Sequence, residues 1–138
     1  WSNPTPWDTH REEPDEALIK RIEAMIPKLR DPSTAVFSLH APPYGSGLDE
    51  APELTKDMRL MYAGQSLVPV GSHAVLEVIE KYQPLLGLHG HIHEGKGARK
   101  IKKTLCINPG SMYEQGILQG AVIELKPNKV GSYILTAG

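Results

Sequence analysis

Gly90-His91-Ile92-His93 sets two imidazoles two positions apart, and a third, His40, lies upstream in Leu39-His40-Ala41-Pro42-Pro43. Neutral imidazole is the commonest protein ligand for Zn, Fe, Mn and related ions, so the chemistry to consider first is metal binding. On extended backbone, residues i and i+2 share a face, and the spacing predicts that His91 and His93 point to one side. Alone, H-x-H is a weak motif that also suits two solvated loop histidines. The third histidine adds weight. Three histidines packed as core would each need a hydrogen-bond partner and would repel one another once protonated.

The elements that must position them can be read from the flanking residues. Pro84-Leu85-Leu86-Gly87-Leu88-His89-Gly90 reads as a buried strand that stops at a glycine. Thr34-Ala35-Val36-Phe37-Ser38-Leu39 reads as a second strand that runs into His40, after which Pro42-Pro43 and Gly45-Ser46-Gly47 forbid helix and ladder alike. Between them Ser72 is a candidate N-cap for a helix carrying Val75, Leu76, Val78, Ile79 and Tyr82, ended by Pro84. Strand, helix and strand from Val36 to His89 therefore predict a parallel βαβ crossover, with the histidines at the carboxyl ends of strands, where such sheets keep ligands. Residues 44 to 71 read as a long connection with little periodicity. An earlier helix opens at Pro14-Asp15-Glu16 with Leu18, Ile22, Met25 and Leu29 on one face, and Pro27 should bend or end it. Downstream, Arg99–Ile107, Ala121–Leu125 and Ser132–Thr136 read as an antiparallel meander, and Leu105-Cys106-Ile107 ends in the turn Asn108-Pro109-Gly110-Ser111.

Taken in order, H-x-P-P, G-H-x-H and N-P-G-S resemble the C-terminal half of the calcineurin-like metallophosphoesterases, over residues Val36 to Leu125. The resemblance implies an α/β fold, part of a four-layer αββα sandwich, with a mixed sheet and a C-terminal antiparallel meander. It implies two divalent metal ions, Mn, Fe, Zn or Ni, with His40 and His91 on one and His93 on the other. It implies hydrolysis of a phosphate ester by a metal-bridging hydroxide, the substrate being a small phosphorylated molecule, monoester or diester. The family's Asp-x-His, its Gly-Asp with the bridging aspartate and its Gly-Asn-His-Glu/Asp have no counterpart here. Asp8-Thr9-His10 is a literal Asp-x-His, but it sits in a Pro-rich opening with no strand before it. The chain is thus expected to be the C-terminal portion of one domain, residues 1–138, with the N-terminal portion absent and supplied by a missing half or another chain. No catalytic residue is identifiable in it. Alone it should be inactive.

Other residues carry weaker signals. His89 shares its face with His91 by the same alternation, and Asp49 follows Gly47-Leu48; either could orient an imidazole, although for Asp49 loop capping is the commoner role. His10 and His73 read as structural or exposed. Fifteen Lys and Arg against sixteen Asp and Glu give a net charge of −1, so no nucleic-acid or membrane partner is expected. The single cysteine, Cys106, lies in an apolar strand, reads as buried, and favours a reducing, cytoplasmic location. Lys96, Arg99, Lys100, Lys102 and Lys103 read as the solvated face of an edge hairpin rather than an anion site. An open sheet edge would also invite a homo-oligomer. The alternative function is a non-catalytic binding or scaffold protein that keeps the fold. A metallo-β-lactamase-type site would need H-x-H-x-D-H, which Glu94-Gly95-Lys96 does not provide.

Overall fold

A computed structural model describes residues 1–5, 10–55, 57 and 59–138. The described residues form an α/β structure with a mixed sheet and antiparallel hairpins. In chain order the elements are α1 (Asp15–Glu23), β1 (Val36–Ser38), β2 (Glu50–Pro52), β3 (Leu67–Pro69), α2 (His73–Tyr82) and β4 (Leu86–Leu88). Then come β5 (Gly97–Ile101), β6 (Thr104–Asn108), β7 (Gln119–Lys126) and β8 (Lys129–Ala137).

The main sheet has four strands in the order β1-β4-β6-β5. β1 and β4 are parallel, with Val36 opposite Leu86 and Ser38 opposite Leu88, and α2 is the crossover between them. β4 and β6 are also parallel, whereas β5 returns antiparallel to β6 with Gly97 opposite Asn108. This layout puts the ends of β1, β4 and β6 together at one edge of the sheet. The expected meander divides there. β7 and β8 form a separate two-stranded sheet with no ladder to β6.

Ser72 caps α2, its Oγ accepting from Val75 N at 3.1 Å. The same hydroxyl donates to Asp15 Oδ1 at 2.5 Å, and that oxygen also accepts from Ala74 N at 3.2 Å, so the first residue of α1 secures the first turn of α2. Ala74, Val75, Val78 and Ile79 are the buried face of α2. Val75, Val78 and Ile79 join Ile22, Phe37, Ala41, Leu48 and Cys106 in the core. Removing several methylenes from so closely packed a position costs about 2–5 kcal/mol, and this core is what holds β1 and β4 in register.

Two local expectations need correction. α1 ends at Glu23, and Pro27 sits in a separate 3-10 turn, Ile26–Lys28, so Met25 and Leu29 leave the helix face and are 51% and 38% exposed. The connection from 44 to 71 contains the hairpin β2–β3, paired Glu50 to Pro69 through Pro52 to Leu67. Three-residue strands are too short to show a period. Among the described residues no helix is long and apolar enough to cross a membrane.

Candidate functional site

β1 and β4 stay zipped beyond their last strand residues. Leu39 N donates to Leu88 O at 3.0 Å, and Gly90 N donates to His40 O at 2.9 Å. The chain ends thus brought together carry His40 and His91, whose rings stand edge to face with centroids 5.0 Å apart. His93 follows in a turn and packs on another ring, Tyr113, at 5.4 Å.

The alternation expected along 89–93 does not occur, because β4 stops at Leu88 and His91 adopts φ +64. A left-handed non-glycine residue reverses the course of the chain, so His89 and His91 do not share a face as strand neighbours would. Burial separates them further. His89 is buried and turns inward, its Nδ1 3.0 Å from both Leu39 O and Ala41 O. Facing two carbonyls, Nδ1 must carry the proton, so this ring clamps the backbone on either side of His40. A Cβ on Gly87 would lie 2.7 Å from His89 Nε2, which is why glycine floors this ring.

Asn108 does for His91 what His89 does for His40. Its carboxamide is fully buried, and Nδ2 donates to Ile92 O at 2.9 Å, Gly90 O at 3.4 Å and Leu48 O at 3.1 Å. Its Oδ1 accepts from Gly110 N at 2.9 Å, closing the Asn-Pro-Gly turn. The two carbonyls flanking His91 are therefore held by one side chain. By sequence Asn108 is only a turn residue. Nothing in a single Asn-Pro-Gly tripeptide says that the amide reaches back across the sheet.

Asp49 lies elsewhere in this scheme. Fully buried, it accepts from Gly45 N at 2.8 Å, Gly71 N at 3.0 Å and Gly47 N at 3.2 Å, tying the loop after Pro43 to the approach to α2. Of the two roles open to it by sequence, these contacts are those of loop capping. His73 stacks on Tyr44 with centroids 3.9 Å apart.

His40, His91, His93 and His10 all line one cleft of about 590 Å³. His10, by sequence a structural or exposed residue, thus stands beside the other three; Asp8 lies outside the described residues. Glu94 and Glu114 also reach the cleft. Burial holds the His40 and His91 imidazoles below their ordinary pKa, assisted by the neighbouring positive groups, while Glu12 acts on His91 in the opposite sense. Burial also pushes His89 down to about 4, against the pull of its two carbonyl partners. All three are thus neutral at pH 7 and keep a lone pair for an acceptor role.

That donor set suits a transition metal. His91 Nε2 is buried with no hydrogen-bond partner, the kind of orphaned lone pair that a bound cation would satisfy. Yet among the described residues no three His, Cys, Asp or Glu side chains converge tightly enough to hold an ion as a preformed group. Among the described residues the imidazoles fit the neutral-ligand part of a metal site, while Glu94 and Glu114 reach the cleft without closing a tight group with them.

No family model matches the chain. It is 30% identical over 111 residues to an uncharacterized protein, MJ1162, of Methanocaldococcus jannaschii, a match covering 78% of this chain and 44% of that protein. Among solved structures it is similar to TT1561 of Thermus thermophilus, with a TM-score of 0.50 and 21% identity, over 92% of this chain and 43% of that one. The chain therefore spans less than half the length of each. The likeness to TT1561 is one of fold.

Proposed function

We propose that this chain carries the imidazole half-site of a metal-dependent phosphoesterase, with His40 and His91 serving one divalent ion and His93 a second. One observation carries the reading. Two imidazoles from the ends of adjacent parallel strands stand with ring centroids 5.0 Å apart, and one of them, His91, has a buried Nε2 with no hydrogen-bond partner. When bound, such ions polarise a phosphate ester and lower the pKa of an attacking water. The chain's own residues hold the ligands in place. His89 and Asn108 fix the backbone around His40 and His91, and the lowered pKa of both imidazoles keeps them free of protons that would compete with a cation. The finer architecture belongs to the same proposal: the mixed sheet would be one sheet of an αββα sandwich, and β7–β8 an edge of the other.

Among the described residues no carboxylate closes on the imidazoles as a bridging ligand, and we assign that carboxylate and the general acid to sequence outside this chain or to a second chain. The greater length of MJ1162 and TT1561 is consistent with that. A reducing, cytoplasmic setting fits a single buried thiol. A second reading, a non-catalytic binding protein of the same fold, is favoured by His93, whose ring packs against Tyr113 instead of closing a tight trio with His40 and His91.

With Mn²⁺ and bis(4-nitrophenyl) phosphate, the 138-residue chain should give no turnover above buffer. A longer protein containing it should hydrolyse the ester, and His91→Ala should abolish this. Metal-dependent turnover by the isolated chain that disappears in His91→Ala would refute the half-site. Silence of the longer protein across Mn²⁺, Zn²⁺, Ni²⁺ and Fe²⁺ would leave the binding-protein reading.

A further inference from the structure

The histidine cleft does not end at His93. A second depression of about 480 Å³ continues from it, and His93, Glu94, Tyr113 and Glu114 line both. Its far wall includes Lys96, Met112, Gln115 and Gln119. Two ties fix this wall to the candidate ligands: Ser111 N donates to His93 O at 3.1 Å, and the Tyr113 ring stands at 81° to the His93 ring. Tyr113 nevertheless stays 65% exposed. One ring is therefore positioned by a candidate ligand and still offers surface to whatever enters.

The chemistry of the wall narrows what that is. Tyr113 and Met112 offer an aromatic and a thioether surface, which suits a planar ring. The side-chain amides of Gln115 and Gln119 both donate and accept, which suits polar edges on such a ring. Glu94 and Glu114 against Lys96 leave the wall with an excess of negative charge, so an additional anionic group would meet more repulsion than attraction. The geometry points to this depression as the seat of the leaving group, and to a leaving group that is planar, uncharged and hydrogen-bonding. Its link to a phosphate ester rests on the phosphoesterase reading above. The substrate would lie across Tyr113, with phosphate at the imidazoles and the ring beyond.

The test separates the two readings by using probes without a reaction. The ¹⁵N-labelled chain, in chelator, is titrated with adenosine, glycerol and ADP. Adenosine should shift the amide resonances of Tyr113 and Gln115 saturably, glycerol should not, and ADP should bind more weakly than adenosine. Tyr113→Ala should weaken adenosine roughly tenfold, the size of one ring stack, with resonances far from the wall unmoved. Glu94→Gln combined with Glu114→Gln should bring ADP up to the level of adenosine. Equal responses to adenosine and glycerol, or tighter binding of ADP by the parent chain, would overturn the inference. Adenosine binding without turnover in the longer protein counts against the phosphoesterase alone; turnover without adenosine binding counts against the leaving-group seat alone.

Discussion

At His91 the backbone bears a cost that the side chain does not explain by packing. Its φ of +64 is favourable for glycine and unfavourable for any residue with a Cβ. Such conformations persist where surrounding bonds over-determine them, and here Asn108 holds the carbonyls on both sides. His91→Gly should therefore be more stable than His91→Ala by about 1 kcal/mol in urea denaturation, since only the alanine keeps the strain. Equal midpoints for the two variants would mean that the strain is negligible.

His89 makes a prediction about acid. Its folded pKa of about 4 lies below the ordinary value of 6.5, so the folded state favours the neutral ring and the unfolded state takes up the proton first. The associated stability is intact above pH 6.5 and falls as pH drops from there towards 4, by up to about 3 kcal/mol. Urea midpoints of the metal-free chain at pH 7.5, 5.5 and 4.5 should decline in that order; a flat series would show that the ring is not buried neutral. The type and place of these histidines are legible in the residues, because strand ends and turn formers are local signals. Their directions are not. A period of two holds only on extended backbone, and the departure at His91 depends on an amide arriving from another strand.

Among the elements, the parallel crossover from β1 through α2 to β4 is readable because apolar runs, a serine cap and a terminal proline agree with one another. β2 and β3 are not, since three residues each, with Pro52 and Pro69 at their ends, carry no periodic signal. β6 shows why strand ends matter more than strand centres in this sheet. Asn108 closes β6, and its Nδ2 reaches three carbonyls from the loops after Pro43 and after β4. Asn108→Ala takes the side-chain donor from all three, leaving Gly90 O and Ile92 O only their backbone partners, Ile92 N and Gly95 N, and should cost about 2–3 kcal/mol. It should also weaken Co²⁺ binding to the chain, read by absorbance, more than a core substitution of equal stability cost such as Val78→Ala does. Equal loss in the two variants would reduce Asn108 to a stability residue.

The molecule as a whole has one chemical reporter of its own integrity. Cys106 is fully buried at the centre of the main sheet, and burial pushes its thiol up to about 12. In the folded chain it should resist a disulfide reagent at pH 8, and react only as fast as the sheet opens. Rapid labelling under native conditions would mean that the four-stranded sheet does not hold together in the isolated chain. The larger architecture is out of reach of the sequence for a different reason. Which sheet faces which depends on surfaces distant in the chain, and no local pattern records them.

The carboxylate of Asp15 has a wider consequence. It belongs to the first turn of α1, yet it accepts from the hydroxyl and amide that open α2, fifty-nine residues on at Ala74. Fraying of the one helix thus withdraws the acceptor that holds the Ser72 hydroxyl and the Ala74 amide of the other, leaving its cap to the Ser72–Val75 bond alone. Two openings that would otherwise be independent and local become coupled, and the strand that α2 delivers to the histidine cleft is loosened with them.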